Sequence, residues 1–156
     1  MRLAPLVLTA ALGLAAALPL AAQQDPGSAA IKARQAHMTL YQANAGVLFG
    51  MAQGRVDYDA EAAQAAADNL LALTGLDQRG YWLPGTAVGE AAAETRALPA
   101  IWENLDGVIA THAQLAEAAA AMASVAGDGL EAVQGAIGPI GGACGSCHEN
   151  FRQSNN

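Results

Sequence analysis

Gly141-Gly142-Ala143-Cys144-Gly145-Ser146-Cys147-His148-Glu149-Asn150-Phe151-Arg152 lies near the C-terminal end of a 156-residue chain and holds both of its cysteines. The spacing Cys144-x-x-Cys147-His148 is that of covalent haem attachment. Two thiols add across the vinyl groups on one porphyrin edge, and an imidazole must stand beneath the iron. On a helix the three residues sit at i, i+3 and i+4, so they project from one face. His148, in its neutral form, is then the proximal iron ligand. Other uses of the pair compete. A simple disulfide suits an exported protein. A thioredoxin-like redox pair belongs in a βαβ setting, and no strand-like alternation surrounds this one. Zinc needs about four ligands of the right type, and only His37 and His112 remain to supply them. The adjoining histidine and the signs of export favour haem c, covalently held, one per chain.

Upstream of this stretch the chain is rich in Ala, Leu, Gln and Glu, which are helix formers. A first helix is predicted from Ser28, as N-cap, to Gln53, with Gly54 as its stop. Its expected inward stripe is Ile31, Gln35, Met38, Gln42, Ala45, Leu48 and Ala52. A second helix is predicted from Asp59 to Thr74, with Gly75 as its exit and Leu70, Leu71 and Leu73 as core candidates. The long connection from Gly75 to Leu98 contains Gly80, Pro84, Gly85 and Gly89; its Ala-rich part, Glu90 to Arg96, is expected to form a helical turn. A third helix should start with Pro99 at its first position and run to Ala126. Gly127-Asp128-Gly129 connects it to a fourth, where Asp128 and Glu131 resemble a capping box. Pro139 should kink that fourth helix, because it cannot donate to the carbonyl of Gly135. The expected fold is all-α, an antiparallel up-down-up-down four-helix bundle.

Residues 1–22 read as a secretory signal, with Arg2 at the positive end and an apolar core from Leu6 to Leu18. Pro5, Gly13 and Pro19 interrupt a run already short for a membrane span, so cleavage rather than an uncleaved anchor is expected, with no stable membrane insertion afterwards. Residues 23–156 form one domain of ordinary size. Among the charged residues the leader removes only Arg2, which leaves a formal charge of −8. That repels nucleic acid and favours basic redox partners, although acidity also serves solubility alone.

The whole predicted mature chain resembles the cytochrome c′ family, the class II c-type cytochromes. Four features carry the resemblance: Ala33-Arg34-Gln35-x-x-Met38, Pro84-Gly85-Thr86, Pro99-x-Ile101-Trp102, and Cys144-x-x-Cys147-His148-x-x-Phe151-Arg152. Cytochrome c′ is itself a standing example of the up-down bundle, so the connectivity comes with the resemblance. Eight residues follow His148. A sixth iron ligand is therefore expected only from upstream, among Met38, His37, His112, Met51 and Met122. The resemblance implies that Met38 overlies the distal face without binding, which leaves five-coordinate, high-spin iron. Gln35 and Gln42, polar within the predicted inward stripe, point by themselves to the lining of a cofactor pocket or to its margin. The same resemblance implies that Arg34 pairs with a haem propionate and that Trp82 is an aromatic contact from the long loop. It places Arg152 beside the proximal imidazole, where a cation weakens imidazolate character; Arg152 also caps the negative helix end. Phe151 stands where relatives often have tyrosine. His37, about 100° round the helix from Met38, is expected to face solvent. His112, on an apolar stripe, is expected to be hydrogen-bonded in the core. Trp102 is read as core.

The expected function is that of a periplasmic haem protein that transfers electrons and, when ferrous, binds small diatomic gases such as NO and CO. An unidentified redox partner protein is implied, and the resemblance also implies a homodimer through the first two helices. One alternative is a six-coordinate, low-spin electron carrier with Met38 as second axial ligand. The other is a haem-free helical module with a Cys144–Cys147 disulfide. No Ser-His-Asp set, phosphate loop or paired-carboxylate site is present in the sequence, so no catalytic residues are assigned and an enzyme is not expected.

Overall fold

Asp25 opens the first helix. Its carboxylate accepts the Ser28 backbone N–H at 2.9 Å and the Ser28 hydroxyl at 3.1 Å, while Pro26 fills the first position, where a missing N–H does no harm. The computed structural model describes residues 25–154; the predicted leader lies outside them. Helix α1 spans Pro26–Ala52 and α2 spans Ala60–Thr74. A short 3₁₀ turn follows at Arg79–Tyr81, then α3 at Ala100–Glu103, α4 at Leu105–Ala123 and α5 at Leu130–Phe151. Among the described residues there is no strand, only an isolated bridge between Ala97 and Arg152.

Helix α1 packs on α2 and α5, and α4 packs on those same two. That closed ring is an antiparallel four-helix bundle. Its axis is filled by Leu48, Leu70, Met122, Val133 and Ile140, each at most 1% exposed. Burying each contributes about 1.5–3 kcal/mol. Ala63, Ala67, Ala119 and Ala126 are wholly buried between them, and such small side chains let helix axes approach closely. At the end of the bundle formed by the α4–α5 connector, Tyr58 donates to the Ala126 carbonyl at 2.9 Å. Gln64 reaches the Ala123 carbonyl at 2.8 Å and accepts from Gly127 N–H at 3.1 Å. These bonds tie that connector to the α1–α2 side.

Several local expectations are corrected. The inward face of α1 carries Ile31, Arg34, His37, Tyr41, Leu48 and Met51, whereas Gln35, Met38 and Gln42 are exposed. Between Ile31 and Leu48 the stripe is thus turned by one residue from the predicted one. In α2, Leu70 and Leu73 are buried but Leu71 is 38% exposed. The Ala-rich run at 90–96 is not helical; the turn in that connection lies instead at Arg79–Tyr81. The predicted third helix is broken at Asn104, which leaves helical geometry (φ −135°, ψ 62°) and caps α4 by accepting Gly107 N–H at 3.1 Å. Helix α5 starts after Gly129 at φ 134°, a backbone region favouring glycine, with no side-chain cap from Asp128. It continues through Pro139 as one helix.

Candidate functional site

Cys144, Cys147 and His148 lie on the last two turns of α5, all half-buried, and both thiols are unpaired. Cys144 packs against the bundle core. Burial pushes its thiol pKa up, and the neighbouring Cys147 pushes the same way. Burial raises Cys147 too, against opposing pulls from the Thr111 hydroxyl on α4 and the charge of Arg152. Burial, then the positive charges of Arg152 and Arg96, hold the His148 pKa below 6.5. The imidazole is therefore neutral at pH 7, the form that ligates a metal. An open cleft beside it is lined by Gly145, His148, Glu149, Arg152 and Ser154. No Cβ placed on Gly142 or Gly145 would meet an atom within 4 Å, so this side of the helix admits a flat group. Among the described residues no three His, Cys, Asp or Glu side chains form a group that could hold a metal ion by themselves.

The end of α5 is clamped by the returning long connection. Leu98 N–H donates to the Phe151 carbonyl at 3.0 Å and Gln153 N–H to the Arg96 carbonyl at 2.8 Å. The Arg96 guanidinium donates to the Gln153 carbonyl. Phe151 is buried at the clamp, and Arg152, exposed, lies next to it where the helix ends. Helix α1 holds the other part of the connection. Arg34, only 4% exposed, donates to the Thr86 hydroxyl at 2.8 Å, the Thr86 carbonyl at 2.5 Å, the Thr95 hydroxyl at 2.7 Å and the Tyr81 carbonyl at 3.3 Å. Gln35 donates to the Glu94 carbonyl at 2.9 Å. The Arg34 guanidinium also lies 5.2 Å from the Trp82 ring centre and 5.9 Å from that of Trp102, whose indole N–H bonds the Trp82 carbonyl at 3.1 Å. Both tryptophans are half-buried.

These contacts bring Arg34 and Trp82 together and set Arg152 beside His148. Met38 is 37% exposed on α1. His37, expected at the surface, is 4% exposed and stacks edge-on to Tyr41 at 4.5 Å. The reason is aromatic company: Tyr81 from the long connection lies 5.7 Å from the same imidazole. His112 is half-buried and hydrogen-bonded to Gln78 at 3.1 Å, as expected. Arg96, Thr111, Thr86 and Thr95 were not anticipated. Of these Thr86 carried a signal as part of Pro84-Gly85-Thr86, and Thr111 another, standing between Val108 and Leu115 at helical spacing.

The cytochrome c′ family model matches residues 29–152. A cytochrome c′ of Cereibacter sphaeroides is 39% identical over 139 residues, covering 89% of this chain and 93% of the relative. A cytochrome c-554 of the same species is 44% identical over 123 residues, covering 79% and 92%. A solved cytochrome c′ from Rhodobacter sphaeroides superposes with a TM-score of 0.79 at 36% identity, covering 83% of this chain and 98% of that one. With one unpaired, half-buried Cys-x-x-Cys-His face at the end of a four-helix bundle, and with matches that span most of the chain, this protein belongs to the cytochrome c′ family of haem-binding c-type cytochromes.

Proposed function

We propose that Cys144 and Cys147 carry the thioether links of the single haem c and that His148 is the axial ligand on one side of the iron. The observation that carries this reading is the shared face of two unpaired thiols and a neutral imidazole at one-turn spacing. When bound, the group supplies a ferric–ferrous couple and, in the ferrous state, a coordination position for a small gas such as NO or CO. The chain's own residues position and tune it. The clamp from Arg96 to Leu98 fixes the end of α5 and with it the direction of His148. Burial, with the charges of Arg152 and Arg96, keeps that imidazole neutral. Arg34 anchors the loop bearing Trp82, and as a buried cation hydrogen-bonded only to neutral oxygens it attracts a porphyrin carboxylate. Met38, on α1, would line the pocket that receives the group.

The protein acts in the periplasm as an electron carrier and gas binder, without a catalytic residue set. It pairs through α1 and α2: Leu40 and Val47 share a face of α1 and are 50% and 36% exposed. Among the described residues no helix is long and apolar enough to cross a membrane. The test is an optical spectrum of the reduced holoprotein with and without CO, after haem staining on a denaturing gel. A broad high-spin spectrum that sharpens on CO addition is expected. Sharp α and β bands before CO would establish a six-coordinate carrier instead, and Met38→Ala would then abolish them. Absence of haem stain would end both readings.

A further inference from the structure

Asp-Gly occurs twice in the chain, at Asp106-Gly107 and at Asp128-Gly129, and the fold treats the two in opposite ways. A backbone nitrogen that follows aspartate can close a five-membered ring on the side-chain carboxyl, and glycine there removes the Cβ that hinders the approach. Asp106 lies in the first turn of α4, in helical backbone, and the Gly107 N–H is held by the Asn104 side chain at 3.1 Å. A Cβ on Gly107 would come within 2.5 Å of the Asn104 amide, so that nitrogen is packed as well as bonded. Asp128 lies exposed in the connector between α4 and α5. Among the described residues its carboxylate has no bond partner, and nothing accepts the Gly129 N–H. A Cβ built on Gly129 would meet no atom within 4 Å, and its φ of 134° is one that glycine adopts freely. Room, an uncommitted nitrogen and a free carboxylate therefore coincide at Asp128 and not at Asp106.

We infer that Asp128 is a site of spontaneous covalent modification, where the Gly129 backbone nitrogen attacks the Asp128 side-chain carboxyl and the residue becomes isoaspartate. The step balances with water alone. The bond from nitrogen to Cγ forms as one water leaves, giving a succinimide. Water then adds back at the Asp128 main-chain carbonyl and breaks its bond to nitrogen. The chain now runs through Cβ and Cγ, one atom longer, and the freed α-carboxylate keeps the charge. Nothing is oxidised or reduced, and the mass returns to its starting value. The extra atom falls among the bonds that fix the connector: Gly127 N–H to Gln64, Asp128 N–H to the Val125 carbonyl at 3.0 Å, and Val133 N–H to the Gly129 carbonyl at 3.2 Å. His148 stands about 27 Å further along the α5 axis, at about 1.5 Å per residue. The change thus loosens the start of α5 without reaching its other end, and it is independent of what binds at Cys144.

The test is to age the folded mature protein, as purified, for several weeks at physiological temperature and neutral pH. Peptide mapping with electron-transfer fragmentation then separates isoaspartate from aspartate at each position. Isoaspartate should accumulate at Asp128 at least about fivefold faster than at Asp106, the preference that a helix cap alone confers on the protected site. In urea, where neither site is protected, the two rates should be equal. The urea midpoint of the aged parent should fall, and that of aged Asp128→Glu should not, because its ring would need six members. Equal accumulation at the two sites in the folded protein, accumulation chiefly at Asp106, or none at Asp128 would overturn the assignment. So would an aged Asp128→Glu protein that weakens as much as the parent.

Discussion

Arg34 shows how one side chain can organise a site that it does not complete. A buried cation pays for its burial through its bonds, and here two guanidinium nitrogens satisfy two carbonyls and two hydroxyls from three places in the long connection. Arg34→Met should therefore unfold at lower urea, with a loss of about 2–4 kcal/mol, and Arg34→Lys should recover less than half of it because an ammonium has no fork. His37 supplies a pH dependence. Burial, then the charge of His112, hold its pKa below 6.5 in the folded protein. The unfolded chain takes up that proton near pH 6.5 while the folded one does not. The stability tied to a neutral His37 is whole above pH 6.5 and is lost as pH falls through the folded value. The urea midpoint should drop between pH 7.5 and 5, and His37→Phe should flatten the curve.

At the scale of the element, α5 is held by one tight contact and otherwise tolerates its glycines. A Cβ on Gly141 would come within 3.3 Å of Phe49 Cζ on α1, whereas one on Gly142, exposed, would meet nothing within 4 Å. Gly142→Ala should stabilise the protein by up to about 1 kcal/mol through helix propensity, and Pro139→Ala by about 1–3 kcal/mol by restoring the bond to the Gly135 carbonyl. Gly141→Ala should gain nothing, since Phe49 must move; thermal melts of the three variants check the order. What could be read from the sequence follows the same division. Cys144-x-x-Cys147-His148 was legible because its chemistry needs only local spacing, and Asp59 and Gly75 were legible because caps are local too. The inward face of α1 was not. His37 was expected to face solvent and Arg34 to meet a propionate, and the partners the structure gives them, Thr86, Thr95 and Tyr81, lie far along the chain, beyond any local period. Asn104 hid its break for a related reason: its side chain caps a new helix in a run that still scores as helical.

Over the whole molecule, charge decides which partners can approach. The full chain has 14 acidic against 7 basic side chains, formal charge −7. Two of the basic ones, Arg34 and Arg79, already serve the fold: the first is buried in the long connection and the second is paired with Asp77. Arg96 and Arg152 are gathered at the His148 end of α5. The bundle therefore presents an acidic exterior with a cationic spot at the His148 end of α5. A far field of that sign attracts basic proteins from a distance, and salt weakens it as the Debye length shrinks from about 30 Å at 10 mM to about 8 Å at 150 mM. Stopped-flow reduction of the ferric protein should show this. With a basic donor protein the bimolecular rate should fall about tenfold or more across that salt range. With an acidic donor it should rise, because salt screens repulsion. If the two signs were reversed, the basic donor speeding up and the acidic donor slowing as salt rises, the local cationic spot rather than the net charge would govern approach, and docking would be set by Arg96 and Arg152.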